Sequence, residues 1–112
     1  MKTVPNKWVL IEIWRGGKSL HKVFATWSGG YLDGDSWRLN SGISKTEFHE
    51  DHFVFQGYSG SNYKCYKNSY GVAGSSNYGV LDGLLKKLND MKGVTASILE
   101  EGEVYDHMKI SS

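Results

Sequence analysis

Two histidines and three carboxylates fall within six consecutive residues, Glu47-Phe48-His49-Glu50-Asp51-His52. Imidazole nitrogens and carboxylate oxygens are donors that zinc and related divalent ions accept. The spacing argues against a shared ion. The β-prone context predicts a strand here, and in a strand His49 and His52 leave from opposite faces. The two imidazoles are also three residues apart, not the four that align both histidines of the metalloprotease helix. His49 with Asp51, or Glu50 with His52, share a face, but two ligands do not complete a site. The expectation is a solvated strand entry, with no metal and no cofactor.

Other reactive groups are isolated. Cys65 is the single cysteine, so no intrachain disulfide forms. Paired with His21, His49, His52 or His107 it would be a nucleophile, and Lys64 and Lys67 would favour its thiolate. A lone cysteine in a strand is more often a small buried apolar residue. A small enzyme using Cys65 or the His49–His52 cluster is therefore an alternative, and the main expectation is no catalytic residue. Asp33-Gly34-Asp35 resembles the start of a calcium loop, but position twelve is Ser44 instead of glutamate. Gly17-Lys18-Ser19 spells the end of a phosphate loop, but Glu12 stands where its first glycine belongs.

The chemistry that remains is recognition. From Gln56 to Gly79, 18 of 24 residues are Gly, Ser, Asn or Tyr, and five of the chain's seven tyrosines lie there. Tyrosine offers flat contact area at low rotamer entropy, and Ser, Gly and Asn adapt their hydrogen bonds. The expected contact residues are Tyr58, Tyr63, Lys64, Tyr66, Lys67 and Tyr70, with Trp37 and Arg38 as a second patch. Alternation along the strand puts Tyr63 and Cys65 on one face and Lys64 and Tyr66 on the other. A protein partner fits this composition, since Tyr, Trp and Arg are enriched in interfaces. Single-stranded nucleic acid or a nucleotide is the alternative, with bases stacked on aromatics and phosphates on lysines. Trp14 and Trp27, with Arg15, would extend that face. Pairing with a second copy through sheet edges is a further option.

These residues need a scaffold. Lys7–Arg15 reads as a strand with Val9, Ile11 and Ile13 on one face and Trp8, Leu10 and Trp14 on the other, so both faces are expected to be partly covered. Gly16-Gly17 reads as a hairpin turn, and Leu20–Trp27 as the return strand. Tyr31-Leu32 is a short strand or loop tip. Further strands are expected over Ser36–Ile43, Thr46–Tyr58, Tyr63–Lys67 and Val94–Leu99. From Ser76 the period becomes helical, with Val80, Leu81, Leu84, Leu85, Leu88 and Met91 on one stripe. Ser75, Ser76 or Asn77 would cap that helix, spanning about 77–92, and Val9, Ile11, Ile13, Val23 and Phe55 are its expected partners. Residues 1–6 and 103–112 read as tails, the second with some strand character at Val104-Tyr105. The fold class is α+β: an antiparallel sheet of about five to six strands with one amphipathic helix on a face. A small β-barrel capped by that helix is the alternative.

With 112 residues the chain reads as a single domain, 1–112, able to bury a core. Thirteen basic and 12 acidic residues leave a net charge of +1, too balanced for a nonspecific polyanion binder. No signal peptide and no membrane-length apolar run is seen, which predicts a cytoplasmic protein. The segments Trp27–Ile43 and Gly57–Gly71 resemble short accessory proteins of large tailed bacteriophages. That resemblance implies action in the infected host's cytoplasm by binding a host protein, a defence component or its nucleotide signal. It assigns no functional residue.

Overall fold

The computed structural model describes residues 2–29 and 34–111. Tyr31, Leu32 and Asp33, read above as a strand or loop tip and part of a turn, lie outside them. Among these residues eight strands form two four-stranded sheets. The first is mixed, in the order β1 (Lys2–Thr3), β7 (Asn62–Tyr66), β6 (His52–Gly57), β5 (Ile43–Phe48). The second is antiparallel, in the order β4 (Ser36–Leu39), β3 (Lys18–Trp27), β2 (Lys7–Arg15), β8 (Val94–Ile98). Two helices accompany them, α1 (Ser75–Asn89) and α2 (Val104–Ser111).

The doubly apolar β2 explains the layering. Trp8 and Leu10 point one way, into a core with Val23, Ala25, Phe53, Phe55, Tyr63 and Cys65. Val9 and Ile11 point the other way, into a second core with Phe24, Val72 and Leu81. The second sheet is thus the middle layer, with the first sheet and α2 on one side and α1 on the other. Each large side chain buried in this way contributes about 1.5–3 kcal/mol. The β2–β3 hairpin turns at Gly16 and Gly17, whose φ angles of 59° and 79° only glycine adopts without strain.

Several expectations are corrected. The strands form two open sheets, neither one sheet nor a closed barrel. Thr46–Tyr58 is not one strand: it breaks at a turn closed by His49 N–H donating to the His52 carbonyl at 3.0 Å. Val23 points towards the first sheet and Phe55 belongs to it, so both lie in the core away from α1. No side chain caps α1, whose N-cap is Gly74. Asn77 is instead buried, its amide donating to the carbonyls of Ala73, Ser36 and Trp27. Residues 2–3 are no tail, since they pair with β7 in parallel. Nor is 103–112 a tail: Val104 and Met108, one helical turn apart, seat α2 in the first core. Among the described residues no helix is long and apolar enough to cross a membrane.

Candidate functional site

The tyrosine-rich run divides between core and surface. Tyr63 and Cys65 point inward from β7 and are buried. Tyr63 therefore presents no surface to a partner, and burial raises its phenol above the ordinary value. Burial likewise pushes the Cys65 thiol far up, which keeps it protonated and unreactive. Lys64 and Tyr66 point outward, with Lys64 Nζ 5.1 Å from the centre of the Tyr66 ring. His52 lies against Tyr66 at 5.7 Å, and His49 stacks on His52 at 4.3 Å. The hairpin turn, not a strand, brings these two histidines together. Each has its own carboxylate: Glu47 Oε1 lies 3.3 Å from His49 Nε2, and Asp51 Oδ1 lies 2.6 Å from His52 Nδ1. The hydrogen bond with His52 holds the Asp51 carboxyl below its usual range.

Tyr58 is the most exposed of the expected aromatic contact residues, at 69% of its surface, on the β6–β7 turn. Trp37 and Arg38 are neighbours on β4, the far edge of the other sheet. Trp37 stacks on Phe24 at 5.6 Å. Both border a shallow 540 Å³ cleft with Thr3, Val4 and Trp27. Since Trp14, Trp27 and Trp37 belong to the second sheet, they do not extend the Lys64–Tyr66 face.

The remaining two expected residues, Lys67 and Tyr70, meet in a concave site. Beyond β7 the chain makes a 3-10 turn over Lys67–Ser69 and then runs beside β2, where Gly71 N–H donates to the Trp8 carbonyl. This lays Tyr70 edge-on against Trp8 at 4.8 Å. Phe53 of β6 meets the same indole edge-on at 5.9 Å. Across the gap, a 3-10 turn at Glu101–Glu103 leads into α2 and supplies Glu101, Gly102, Val104 and Tyr105. The result is a 320 Å³ cleft walled by Trp8, Phe53, Tyr70, Val104 and Tyr105. Lys67 Nζ lies 5.1 Å over the Phe53 ring at its side.

The polar atoms of this aromatic wall are already engaged. Trp8 Nε1 donates to the Tyr66 carbonyl at 2.7 Å. The Tyr70 hydroxyl donates to the Leu99 carbonyl at 2.7 Å and accepts from Leu10 N–H at 3.2 Å. Burial pushes that phenol up to about 12. The cleft therefore offers ring surface flanked by one cation and one carboxylate. Such a lining receives an apolar or aromatic group and positions it with few polar contacts. Trp8, Phe53, Val104 and Tyr105 were not singled out from the sequence as contact residues. They come from three distant segments, and the sole local signal was the apolar pair Val104 and Met108.

On the face of α2 away from Tyr105 a polar cluster forms around Glu12, which β2 directs to the same face as Trp8 and Leu10. Its Oε2 lies 2.9 Å from His21 Nε2 and 3.0 Å from His107 Nδ1, and its Oε1 accepts from Trp14 Nε1 at 2.8 Å. Burial alone would raise the Glu12 carboxyl. The hydrogen bonds of Trp14 and His21 and the fields of both histidines outweigh it and bring it below its usual range. Sequence reading weighed His21 and His107 only as partners of Cys65, and Glu12 not at all. No family model matches the chain, and no curated protein or solved structure shows significant similarity to it.

Proposed function

We propose that this is a small non-enzymatic binding protein that holds a protein partner by seating one of the partner's apolar side chains in the aromatic cleft. The observation that carries the reading is the cleft itself: 320 Å³ walled by Trp8, Phe53, Tyr70, Val104 and Tyr105, with Lys67 at its side. Interfaces concentrate their energy where an anchor side chain fills such a desolvated pocket. Lys64, Tyr66 and the exposed Tyr58 would form the surrounding contacts, and Trp37 with Arg38 a separate patch. The phage resemblance supports a host or defence protein as the partner class.

The experiment is capture of partners from bacterial lysate by the tagged chain, with and without nuclease, repeated with Tyr105→Ala and Lys67→Ala. A discrete protein that survives nuclease is expected. Its affinity should fall by about 2 kcal/mol, roughly 30-fold, on removing the Tyr105 ring. Full binding by Tyr105→Ala would discard the cleft as the anchor.

A second reading is supported by the outer face of the first sheet. There Lys64 covers Tyr66 and the rings of His52 and His49 continue the row. Stacked rings beside a lysine suit single-stranded nucleic acid. Under this reading nuclease removes the captured material and Tyr66→Ala abolishes it, while Tyr105→Ala has no effect.

A further inference from the structure

We propose that Glu12, His21 and His107 bind a borderline divalent metal ion, with Zn²⁺ the best match, and that the ion fastens α2 to the second sheet. Glu12 and His21 are direct cross-strand partners in the β2–β3 ladder, so their side chains share a face. α2 lies over that face and delivers His107. The three donor atoms all fall within 4.8 Å of one another. Both histidine nitrogens approach the same carboxylate oxygen, at 2.9 and 3.0 Å. Ligands about 2.0–2.1 Å from a tetrahedral zinc stand about 3.3 Å apart, so each histidine–carboxylate pair needs to open by only a few tenths of an ångström, and the two histidine nitrogens, no more than 4.8 Å apart, need to close by at most about 1.5 Å.

The surroundings are those of a built site. Trp14 Nε1 holds Glu12 Oε1 at 2.8 Å, which fixes the carboxylate and leaves Oε2 turned to the histidines. Glu103 Oε2 lies 3.7 Å from His107 Nε2, just beyond hydrogen-bond reach, on the side from which an outer carboxylate would orient a ligating imidazole. A 440 Å³ cavity opens on the trio, with Asp106 on its wall, and leaves room for water as a fourth ligand. Two imidazoles and one carboxylate select zinc and its neighbours over magnesium or calcium, which prefer oxygen alone. The His49–His52 pair makes the instructive contrast. Its histidines address separate carboxylates, and among the described residues only the Glu12 group brings three such donors together.

The location suggests what the ion would do. α2 carries Val104 and Tyr105 on the cleft and His107 on the cavity. An ion held by β2, β3 and α2 would tie the cleft's outer wall to the middle sheet. This role stands whatever occupies the cleft.

The test is titration of the untagged, metal-free full chain with Zn²⁺, followed by calorimetry and by the nitrogen resonances of the histidine rings. One equivalent should saturate the change. The His21 and His107 rings should shift, and those of His49 and His52 should stay in place. The melting temperature should climb with free zinc, as mass action on the folded state requires. His107→Gln should abolish the binding, and Glu103→Gln should weaken it about tenfold. Excess Mg²⁺ should not compete. If His107→Gln fails to fold, the ring shifts of the unaltered protein still decide. Absence of heat and of ring shifts, or shifts confined to His49 and His52, would overturn the site and leave a hydrogen-bonded triad.

Discussion

Tyr70 is the side chain in which cleft and core meet. Its ring lies edge-on to Trp8, and its hydroxyl ties Leu10 of β2 to Leu99 beyond β8. Tyr70→Phe keeps the ring and orphans a buried carbonyl and an amide, so it should cost roughly 1–3 kcal/mol in chemical denaturation. The phenol also sets an alkaline limit. In the unfolded chain it ionises near the ordinary tyrosine value of 10.0, and in the fold at about 12. The fold therefore favours the neutral form. That contribution is complete below pH 10 and is lost as pH rises towards 12. Stability measured across this window should decline, and Tyr70→Phe should decline less steeply. Equal slopes would show that this phenol is not buried in solution. At this scale the sequence was half legible. Alternation along β7 separated Tyr63 and Cys65 from Lys64 and Tyr66, as the structure has them. Cys65, a residue type expected to be buried, marks the Tyr63 face as the inner one, and Tyr63 was misplaced among the contact residues because composition does not tell one tyrosine from another.

Helix α1 was legible because six apolar residues repeat at helical spacing over three turns. Gly79 and Gly83 lie within it, and a Cβ built at either position meets nothing within 4 Å. Neither has a positive φ. Gly79→Ala and Gly83→Ala should therefore each stabilise the protein, by about 0.5–1 kcal/mol, through the lower entropy of the unfolded chain. A destabilising effect in thermal melts would mean that α1 packs closer than described. Gly74 is the counter-case: its φ is 84° and a side chain there would run into the Asp35 carboxylate. Helix α2 was not legible. Eight residues hold too few turns to establish a period, and Val104 and Met108 alternate as plausibly as they spiral. Its structural weight is tested by Met108→Ala. With Met108 only 2% exposed, the substitution should cost roughly 2–5 kcal/mol, against almost nothing for a solvated tail. β1 escaped notice for a similar reason, since two residues paired in parallel leave no pattern in sequence.

On the scale of the whole molecule, the two-faced β2 dictates three layers, and the layers bring the cleft and the polar cavity to different faces of α2's first turn. The row Trp8, Leu10, Glu12, Trp14 runs along one face of β2 from the aromatic cleft, through the core, to the polar cavity. α2 lies over that row with Val104 and Met108 in the first core. Neither site could be read from the chain, because each joins residues from segments far apart in sequence. Composition did bound the kind of partner. With a net charge of +1, little long-range field favours a polyanion. If the partner is a protein anchored in the cleft, Lys67 is the one cation in its lining. Binding should then weaken only slightly as salt is raised, because the affinity comes from apolar burial. If the outer face binds single-stranded nucleic acid instead, each phosphate neutralised adds about −0.7 to the slope of log affinity against log salt. Lys64, the lysine on that face beside Tyr66, would give a slope of about −0.7. Affinity measured over a series of salt concentrations, with the unaltered chain and with Lys64→Ala, separates the two. A flat line unmoved by Lys64→Ala supports the cleft. A steep line that flattens in the variant places the contact on the outer face of the first sheet.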